Sequence, residues 1–471
     1  MSNRPLWYDE ALLTLNVLHR PWSGLLKTLD YNQGAPIGFL LLEKLSTELL
    51  GKSEFALRAV PLLAGIGALF LFWQVAQICL SSEALPIGLG LFALAGPLIY
   101  YSSEVKQYSS DITVNLLLLW MLMESGIPGW ASGLLKLGIA GAVAIWFSYP
   151  ASFVLAGAGI TWTLSVVARR EWGSLRGLLA QFAAWALSFA GCYVVSLRGL
   201  SQTQILLNYW HDQFLPWPPW SLRNLPWAFD RFWGLFRDSV GLTDMLGAAL
   251  FVAGCGALFG RSKRTAALLT IPAAVAVLAS ALHKYPLAGK FMLFFVPNLL
   301  LMVAEGTVWI GDKARRFSPA IRALLIVLLF AQPVLVTGRA LLWPRYPDDI
   351  KPAIRYIRSN ERPGDGWYIY HFAKYQFWYY AELYNLSVEN VRIGSDCDGD
   401  WRCYAADLDG FVGRPRVWLL FSHILTRDGT DEEQFLLQHL DGMGRRLDAY
   451  KSTGARAYLY DLSALPAPIG Q

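Results

Sequence analysis

Charged residues are scarce in this chain of 471 residues. Asp, Glu, Lys and Arg together make up 16% of it, whereas 55% is hydrophobic and the mean hydropathy is +0.36. A soluble domain carries roughly 25% charged residues. This shortage, with apolar residues in long blocks, excludes an ordinary soluble domain and indicates a polytopic membrane protein. The net charge of +5 requires no nucleic-acid partner, because Lys and Arg cluster in a few loops.

Cysteine is also scarce, and internal repeats and low-complexity tracts are absent. Cys79, Cys192 and Cys255 lie in apolar runs and are expected to be inert thiols. Cys397 and Cys403 lie in a polar segment, and in an oxidising compartment they can close a short loop as a disulfide. Their spacing does not suit zinc, because no second Cys or His pair is arranged to complete four ligands.

Long hydrophobic windows are abundant, and about 17–25 apolar residues are enough to cross a bilayer. Basic loops at 169–176, 261–264 and 312–316 fall on one side of the predicted spans, which the positive-inside rule makes cytoplasmic. Residues 1–54 and 342–471 then lie outside, in the periplasm or cell exterior of a bacterium. The ten predicted spans are 55–80, 85–102, 109–124, 133–149, 151–168, 178–197, 242–260, 265–282, 287–310 and 320–341.

The first 54 residues must therefore be translocated, although no signal peptide or earlier span precedes them. We expect a first span upstream of this sequence; the alternative is translocation driven by the next span. The segment 35–50 carries Glu43, Lys44 and Glu48. Because a charge at mid-membrane costs about 2.5–3.5 kcal/mol, this segment is predicted to be an amphipathic helix at the interface. The alternative is a marginal span, which would invert every later loop.

Two further regions lie on the predicted outer side. The loop 206–236 is dense in Trp and Pro and is expected either to anchor at the membrane surface or to cover a lipid groove. The tail 342–471 is predicted to be a small α/β domain beside a transmembrane module over 1–341. Its predicted elements are helices at 348–360 and 431–450 and strands at 366–370, 416–421 and 457–460.

Three charged elements collect on the same predicted side. They are WYDEA at 7–11, YYSSEVKQY at 100–108 and HKYPLAGK at 283–290. A single ionisable group at a span end is often only a topological anchor. Acids, bases and aromatics from three separate elements on one side instead indicate a functional site.

Such a set can support transfer from an anionic, lipid-linked donor. A carboxylate takes a proton from an acceptor, lysines neutralise the departing phosphate, and aromatic rings stack on sugars. The candidate aromatics are Trp7, Tyr8, Tyr108 and Tyr285. A carboxylate pair can instead hold a divalent cation through its oxygens. These residues alone do not separate the two uses.

The sequence resembles the GT-C glycosyltransferase superfamily, in particular its protein mannosyltransferase-like and lipid A aminoarabinose transferase-like bacterial branch. The resemblance rests on WYDEA, on NQGAPIGFLLLEKLSTELLGKSEFALRAVPLLAG and on YYSSEVKQYSS. It covers roughly the first 125 residues, continues weakly through PLAGKFMLFFVP and ends before the tail. SEFALRAVP is its most specific part. The resemblance implies a membrane enzyme with its first span just upstream of the acidic motif and with flat helices in the first outer loop.

The acidic positions of the family can be carried over directly. The resemblance implies that Asp9 is the general base, that Glu10 stands beside it, and that Glu104 is the second acidic residue. If the enzyme uses a divalent cation, Asp9 and Glu104 are the expected ligands; members of the superfamily differ in this respect.

The basic positions are carried over with changes. Lys106 and Lys290 stand where the family usually has Arg, and Lys284 is a second candidate for the phosphate. Lys in place of Arg removes bidentate phosphate geometry and leaves a point charge. The segment 32–36, NQGAP, lacks the His and one Pro of the family motif, so contacts made by that His do not carry over.

The predicted function is an inverting transfer of one sugar from a polyprenyl-phosphate carrier to a lipid, glycan or protein acceptor, at the outer face of a bacterial inner membrane. A transporter or flippase of lipid-linked glycans is the alternative. It predicts ionisable residues at mid-membrane and inverted repeats, and neither is clear in the sequence. A third hypothesis, a membrane scaffold that acts through its tail, leaves Asp9 and Glu104 without a role.

Overall fold

The computed structural model describes residues 4–124, 134–287, 289–315, 318, 320–344, 346–427 and 429–463. The chain divides into two compact units. The larger unit contains residues 20–46 and 58–344, and the smaller contains 1–19, 47–57 and 345–471. The segment that carries WYDEA thus belongs to the same unit as the C-terminal region.

The larger unit is helical. Within the described residues, seven helical segments are long and apolar enough to cross a membrane: Ala59–Cys79, Ala151–Arg169, Trp172–Leu200, Asp244–Arg261, Lys263–Ala281, Gly289–Ala314 and Ala320–Leu342. Shorter helices occupy the other three predicted windows, at Ala84–Leu94 with Gly96–Tyr101, at Tyr108–Glu124, and at Leu134–Gly138 with Ile139–Phe147. The first residue of the window 133–149 lies outside the described residues. The prediction of a polytopic helical membrane protein is confirmed.

The segment Gly289–Ala314 forms the centre of this unit, because nearly all of its apolar window is buried by other helices. It packs closely against Asp244–Arg261. A Cβ atom on Gly254 would lie 1.8 Å from the carbonyl oxygen of Met302, and one on Gly306 would lie 1.9 Å from that of Leu250. Glycine at both positions therefore allows the two backbones to approach, as small residues do between membrane helices.

Two arginines pair with acidic side chains in the second half of the segment Gly289–Ala314. Arg261 pairs with Glu305 at 2.9 Å, and Arg322 lies 3.4 Å from Asp312. The segment Gly289–Ala314 begins at the opposite end, where Lys290 is its second residue and Lys284 lies in the turn before it. The helical unit therefore separates the basic loops from that turn.

The stretch 35–50, predicted to lie at the interface, forms the helix Ile37–Leu50, and the chain before it forms the helix Tyr8–His19. The Trp- and Pro-rich loop also contains short helices, and its side chains Tyr209, Trp217, Trp220 and Leu222 are exposed. The remaining short segments are Trp22–Leu26, Glu54–Leu57, Gln204–Tyr209, His211–Gln213, Leu222–Asn224, Leu225–Gly234 and Leu235–Val240.

The smaller unit is built on a five-stranded sheet with the order β2-β1-β3-β7-β6. Strand β1 is parallel to β2 and β3, and β7 is antiparallel to β3 and β6. The strands are β1 Gly366–Ile369, β2 Val391–Ile393, β3 Val417–Ser422, β4 Thr426–Arg427, β5 Thr430–Asp431, β6 Arg445–Ser452 and β7 Ala455–Asp461. The helices are Ile350–Asn360, Lys374–Tyr384, Trp401–Asp409 and Glu432–Met443. A disulfide joins Cys397 to Cys403, which lies in the first turn of the third of these helices.

One predicted element of this unit is wrong in its second half. A helix was expected over 431–450, but the helix ends at Met443 and residues 445–452 form strand β6. Gly444 separates the two, and a Cβ atom there would lie 2.2 Å from the carbonyl oxygen of Asp461. The chain therefore leaves the helix at Gly444 and pairs with β7 as an edge strand.

Candidate functional site

The acidic motif lies at the start of a helix. Tyr8 opens the helix Tyr8–His19, and Asp9 and Glu10 are in its first turn. Acidic side chains at this position stabilise a helix through its dipole. Asp9 is half-buried.

Glu10 is fully buried and contacts the residues that precede it. Its carboxylate lies 3.7 Å from the Arg4 guanidinium and accepts the backbone N–H of Trp7 at 3.3 Å. A Glu that reaches back three residues to a backbone N–H at a helix start has the geometry of a capping box. Glu10 therefore fixes the backbone just before Asp9. Its predicted catalytic role stays a prediction.

Trp7 and Tyr8 face aromatic and acidic side chains of the C-terminal segment. The Tyr8 ring stacks on His423 with ring centroids 4.5 Å apart and nearly parallel planes, and Trp7 lies 6.5 Å from the same imidazole. The Tyr8 backbone N–H donates to Asp348 at 3.4 Å. Asp348 and His423 were missed in the sequence, because nothing in their local pattern links them to residues 7–11.

Glu104 and Lys106 lie in the turn before the helix Tyr108–Glu124 of the larger unit, and Tyr108 opens that helix. All three side chains are buried. The Lys106 ammonium donates to the side-chain oxygen of Gln33 at 2.7 Å. Gln33 belongs to the NQGAP segment, where the family motif has a His. No pattern in the sequence singles out Gln33, whereas the structure shows it as a direct partner of the predicted phosphate ligand Lys106.

The turn 283–291 contributes the third group. Lys290 lies over the Trp210 ring at 5.2 Å, a cation–π contact with the Trp- and Pro-rich loop. The hydroxyl of Tyr285 donates to the carbonyl oxygen of Phe291 at 2.7 Å. Burial raises the pKa of Tyr285, which keeps this hydroxyl protonated as a donor. Lys284 is exposed.

The structure brings the second and third groups together. The rings of Tyr108 and Phe291 meet edge to face at 6.3 Å, and Phe291 also contacts Tyr285 at 5.8 Å. Phe291 therefore joins the turn of Lys106 to the turn of Lys290. We call Lys106, Tyr108, Tyr285 and Lys290 the lysine–tyrosine cluster. Asp9, Glu10, Trp7 and Tyr8 belong to the smaller unit, with the contacts given above.

An apolar groove lies in the larger unit. Its volume is about 640 Å³, and it is lined by helices within 139–192 and by one residue of Lys263–Ala281. Phe153 lines the groove and also contacts Tyr285 of the lysine–tyrosine cluster at 4.8 Å. The groove thus begins beside that cluster. Its main aromatic walls are Phe153, Phe182, Trp185 and Phe189.

The described residues include no group of three or more His, Cys, Asp or Glu side chains arranged to hold a metal ion. The divalent cation considered for Asp9 and Glu104 stays a prediction, since two carboxylates can bind such an ion together with water or substrate oxygens.

The fold is similar to that of ArnT from Cupriavidus metallidurans. The apo crystal structure of ArnT superposes with a TM-score of 0.56 at 12% identity, over 99% of this chain and 96% of ArnT. The structure of ArnT bound to undecaprenyl phosphate gives 0.52 at 13% identity, over 97% and 94%. An archaeal oligosaccharyltransferase, AglB from Archaeoglobus fulgidus in complex with an inhibitory peptide and a dolichol-phosphate, gives 0.49 at 11%, over 99% and 72%. No protein-family profile and no curated protein sequence matches the chain.

Proposed function

We propose that this protein is a membrane glycosyltransferase that moves one sugar from a polyprenyl-phosphate-linked donor to an acceptor. The observation that carries the proposal is the fold shared with ArnT along nearly the whole of both chains. ArnT is a lipid A aminoarabinose transferase and was crystallised with undecaprenyl phosphate. Because one fold can host several activities, the proposal also needs the residues of the site.

The lysine–tyrosine cluster supports binding of the donor phosphate. Two ammonium groups, Lys106 and Lys290, lie on turns joined through Phe291. Negative charge builds up on the phosphate as the sugar leaves, and cations fixed nearby stabilise that charge. The apolar groove beside Tyr285 suits the isoprenoid chain of the carrier. Exposed Lys284 is a second phosphate contact for an entering donor.

In the proposed reaction an acceptor hydroxyl or amine attacks the anomeric carbon of the sugar. The new bond forms as the bond from that carbon to the phosphate oxygen breaks, and polyprenyl phosphate leaves with the bonding electrons. The acceptor proton passes to the Asp9 carboxylate. A single displacement of this kind inverts the anomeric configuration. Trp7, Tyr8, Tyr108 and Tyr285 are the aromatic side chains proposed to contact the sugar.

The site is proposed to face the periplasm or cell exterior, with a lipid, glycan or protein as the acceptor. Glu104 is proposed as the second acid of the site, and Asp9 and Glu104 as the ligands if a divalent cation is used. Turnover measured before and after treatment with a chelator tests the cation directly.

The central experiment supplies the purified protein with polyprenyl-phosphate sugars and measures release of free polyprenyl phosphate. Asp9→Asn should lower turnover about 10²–10⁴-fold, the usual contribution of a general base. Asp212→Asn is the matched control, since the Asp212 side chain is 91% exposed, and it should keep full turnover. Unchanged turnover in Asp9→Asn would remove Asp9 as the base. Absence of turnover with every donor, together with measured translocation of a lipid-linked glycan, would indicate a transporter instead.

A further inference from the structure

We propose that Asp348 and His423 are positioning residues that hold the backbone next to Asp9 in its reactive place. The inference rests on the proposed role of Asp9 as the base. It makes catalysis dependent on side chains from the C-terminal segment, of which Asp348 lies 340 residues after Tyr8.

Asp348 contacts both the backbone of Tyr8 and the imidazole of His423. One of its carboxylate oxygens accepts the backbone N–H of Tyr8 at 3.4 Å and lies 3.2 Å from Nδ1 of His423. The Asp348 side chain is only 8% exposed. A buried carboxylate needs such donors, and it orients them in return. Since Tyr8 directly precedes Asp9, this hydrogen bond holds the backbone next to the proposed base.

His423 fixes the side chain of the same residue. Its imidazole stacks on the Tyr8 ring at 4.5 Å with the planes only 7° apart. Phe372 and Tyr375 contact the Tyr8 ring edge-on at 5.4 and 5.7 Å. Tyr8 is therefore enclosed by three aromatic side chains of the C-terminal segment, in the offset and edge-to-face geometries that aromatic rings prefer.

The backbone of His423 is itself unusual. Its φ is +54°, in the left-handed region that a residue with a side chain seldom adopts, and it directly follows strand β3. Such a conformation persists only where the surrounding structure fixes it, and it is often found at functional sites. The strand end thus presents the imidazole towards Tyr8 at a cost in backbone strain.

A second pair of contacts holds the chain just before Tyr8. The Leu6 backbone N–H donates to the Tyr380 hydroxyl at 2.9 Å, and the Leu6 carbonyl accepts from the Gln376 amide at 2.8 Å. With Leu6 and Tyr8 both held, little backbone freedom remains for Asp9. A general base must come within about 2.6–3.2 Å of the proton it removes, and an error of about 1 Å can cost about 10²-fold in rate.

The test compares variants of the full-length protein in the release assay. His423→Ala and Asp348→Asn should lower kcat about 10–100-fold, a larger change than any rise in the KM for the donor, because they displace the base while the lysines and the apolar groove still hold the donor phosphate and its isoprenoid chain. His423→Phe keeps the stacked ring and should retain more activity than His423→Ala. His439→Ala removes a histidine paired with Asp409 at 2.9 Å in the same unit, and it should behave as the wild type.

A double variant separates positioning from a merely structural role. If His423 acts through Asp9, then His423→Ala added to Asp9→Asn should cause almost no further loss of turnover. If the loss of turnover in the double variant equals the product of the losses in the two single variants, the proposal is overturned. So would a raised donor KM with unchanged kcat, or a loss explained by a lower fraction of folded protein.

Hydrogen exchange tests the positioning role without an activity measurement, so it can fail or succeed independently of the proposed function. In Asp348→Asn and His423→Ala, peptides that cover residues 6–10 should exchange faster than in the wild type, while those of the helix Glu432–Met443 should be unchanged. An inactive wild type would refute the proposed function and leave this measurement valid. Unchanged exchange at residues 6–10 would refute the positioning role, whatever the enzyme's activity.

Discussion

At the scale of single residues, Lys106 gives the sharpest test of donor binding. It is 5% exposed, and its ammonium donates to Gln33. Lys106→Met should lower kcat/KM about 10²–10³-fold, as expected when a cation that stabilises the leaving group is lost. Lys106→Arg keeps the charge and should restore most of this loss. Exposed Lys27 in the same unit serves as the control, and Lys27→Met should leave kcat/KM unchanged. Equal activity of Lys106→Met and the wild type would exclude Lys106 from donor binding.

The sequence predicts candidate site residues only where a motif carries them. Lys106 and Lys290 lie in short charged segments at span ends, and such segments stand out in an apolar sequence. Gln33 and His423 have no such signal. A lone glutamine or histidine becomes informative only when the fold places it against a distant partner, and here these partners are Lys106 and Tyr8.

At the scale of elements, Glu382 ties two N-terminal segments to the helix Lys374–Tyr384. Its carboxylate lies 2.5 Å from the Lys52 ammonium and 2.8 Å from His19. Hydrogen bonds from these two side chains lower the pKa of Glu382 below its usual value of 4.5. A lowered pKa in the folded state means that this group stabilises the fold above pH 4.5, and that the stabilisation is lost as the pH falls below 4.5 through the folded pKa.

Glu382→Gln should therefore lower the Tm at pH 7 by about 1–2 °C, since the pair is partly exposed and worth less than about 1 kcal/mol. Below the folded pKa the variant and the wild type should unfold at the same temperature. Thermal unfolding in detergent, from pH 7 down to the acidic side of the folded pKa, measures both effects, and Glu389→Gln, at an exposed site in the same unit, is the control. A Tm difference that stays constant across this range would contradict the assignment.

The type of a secondary-structure element was predictable from the sequence where a single requirement, such as hydrogen bonding of the backbone within the bilayer, left only one possibility. Windows of bilayer length became helices, because only a helix satisfies its own backbone in an apolar setting. The error at 445–452 arose where local sequence was ambiguous: the strand exists because Gly444 permits a close approach to Asp461 and because β7 supplies hydrogen-bond partners. The helix Trp401–Asp409 was missed because it is short and buries only three side chains, so its sequence carries little helical periodicity.

At the scale of the whole molecule, the basic loops and the lysine–tyrosine cluster lie at opposite ends of the helical unit. The loops contain Arg261 and Arg315, and they connect helices long enough to span a bilayer. Short basic loops stay in the cytoplasm. Because each span reverses the direction of the chain, the cluster is expected on the opposite face, where polyprenyl-linked sugars would be used after export.

Labelling of single cysteines with a membrane-impermeant maleimide tests this topology. In a background with Cys79, Cys192 and Cys255 replaced by alanine, Arg223→Cys in the Trp- and Pro-rich loop should react in intact bacterial cells. Arg176→Cys, in a basic loop, should react only after the membrane is disrupted. Both side chains are exposed, so a difference between them reports their side of the membrane and not their burial. Labelling of Arg176→Cys alone in intact cells would invert the topology and place the proposed transfer in the cytoplasm.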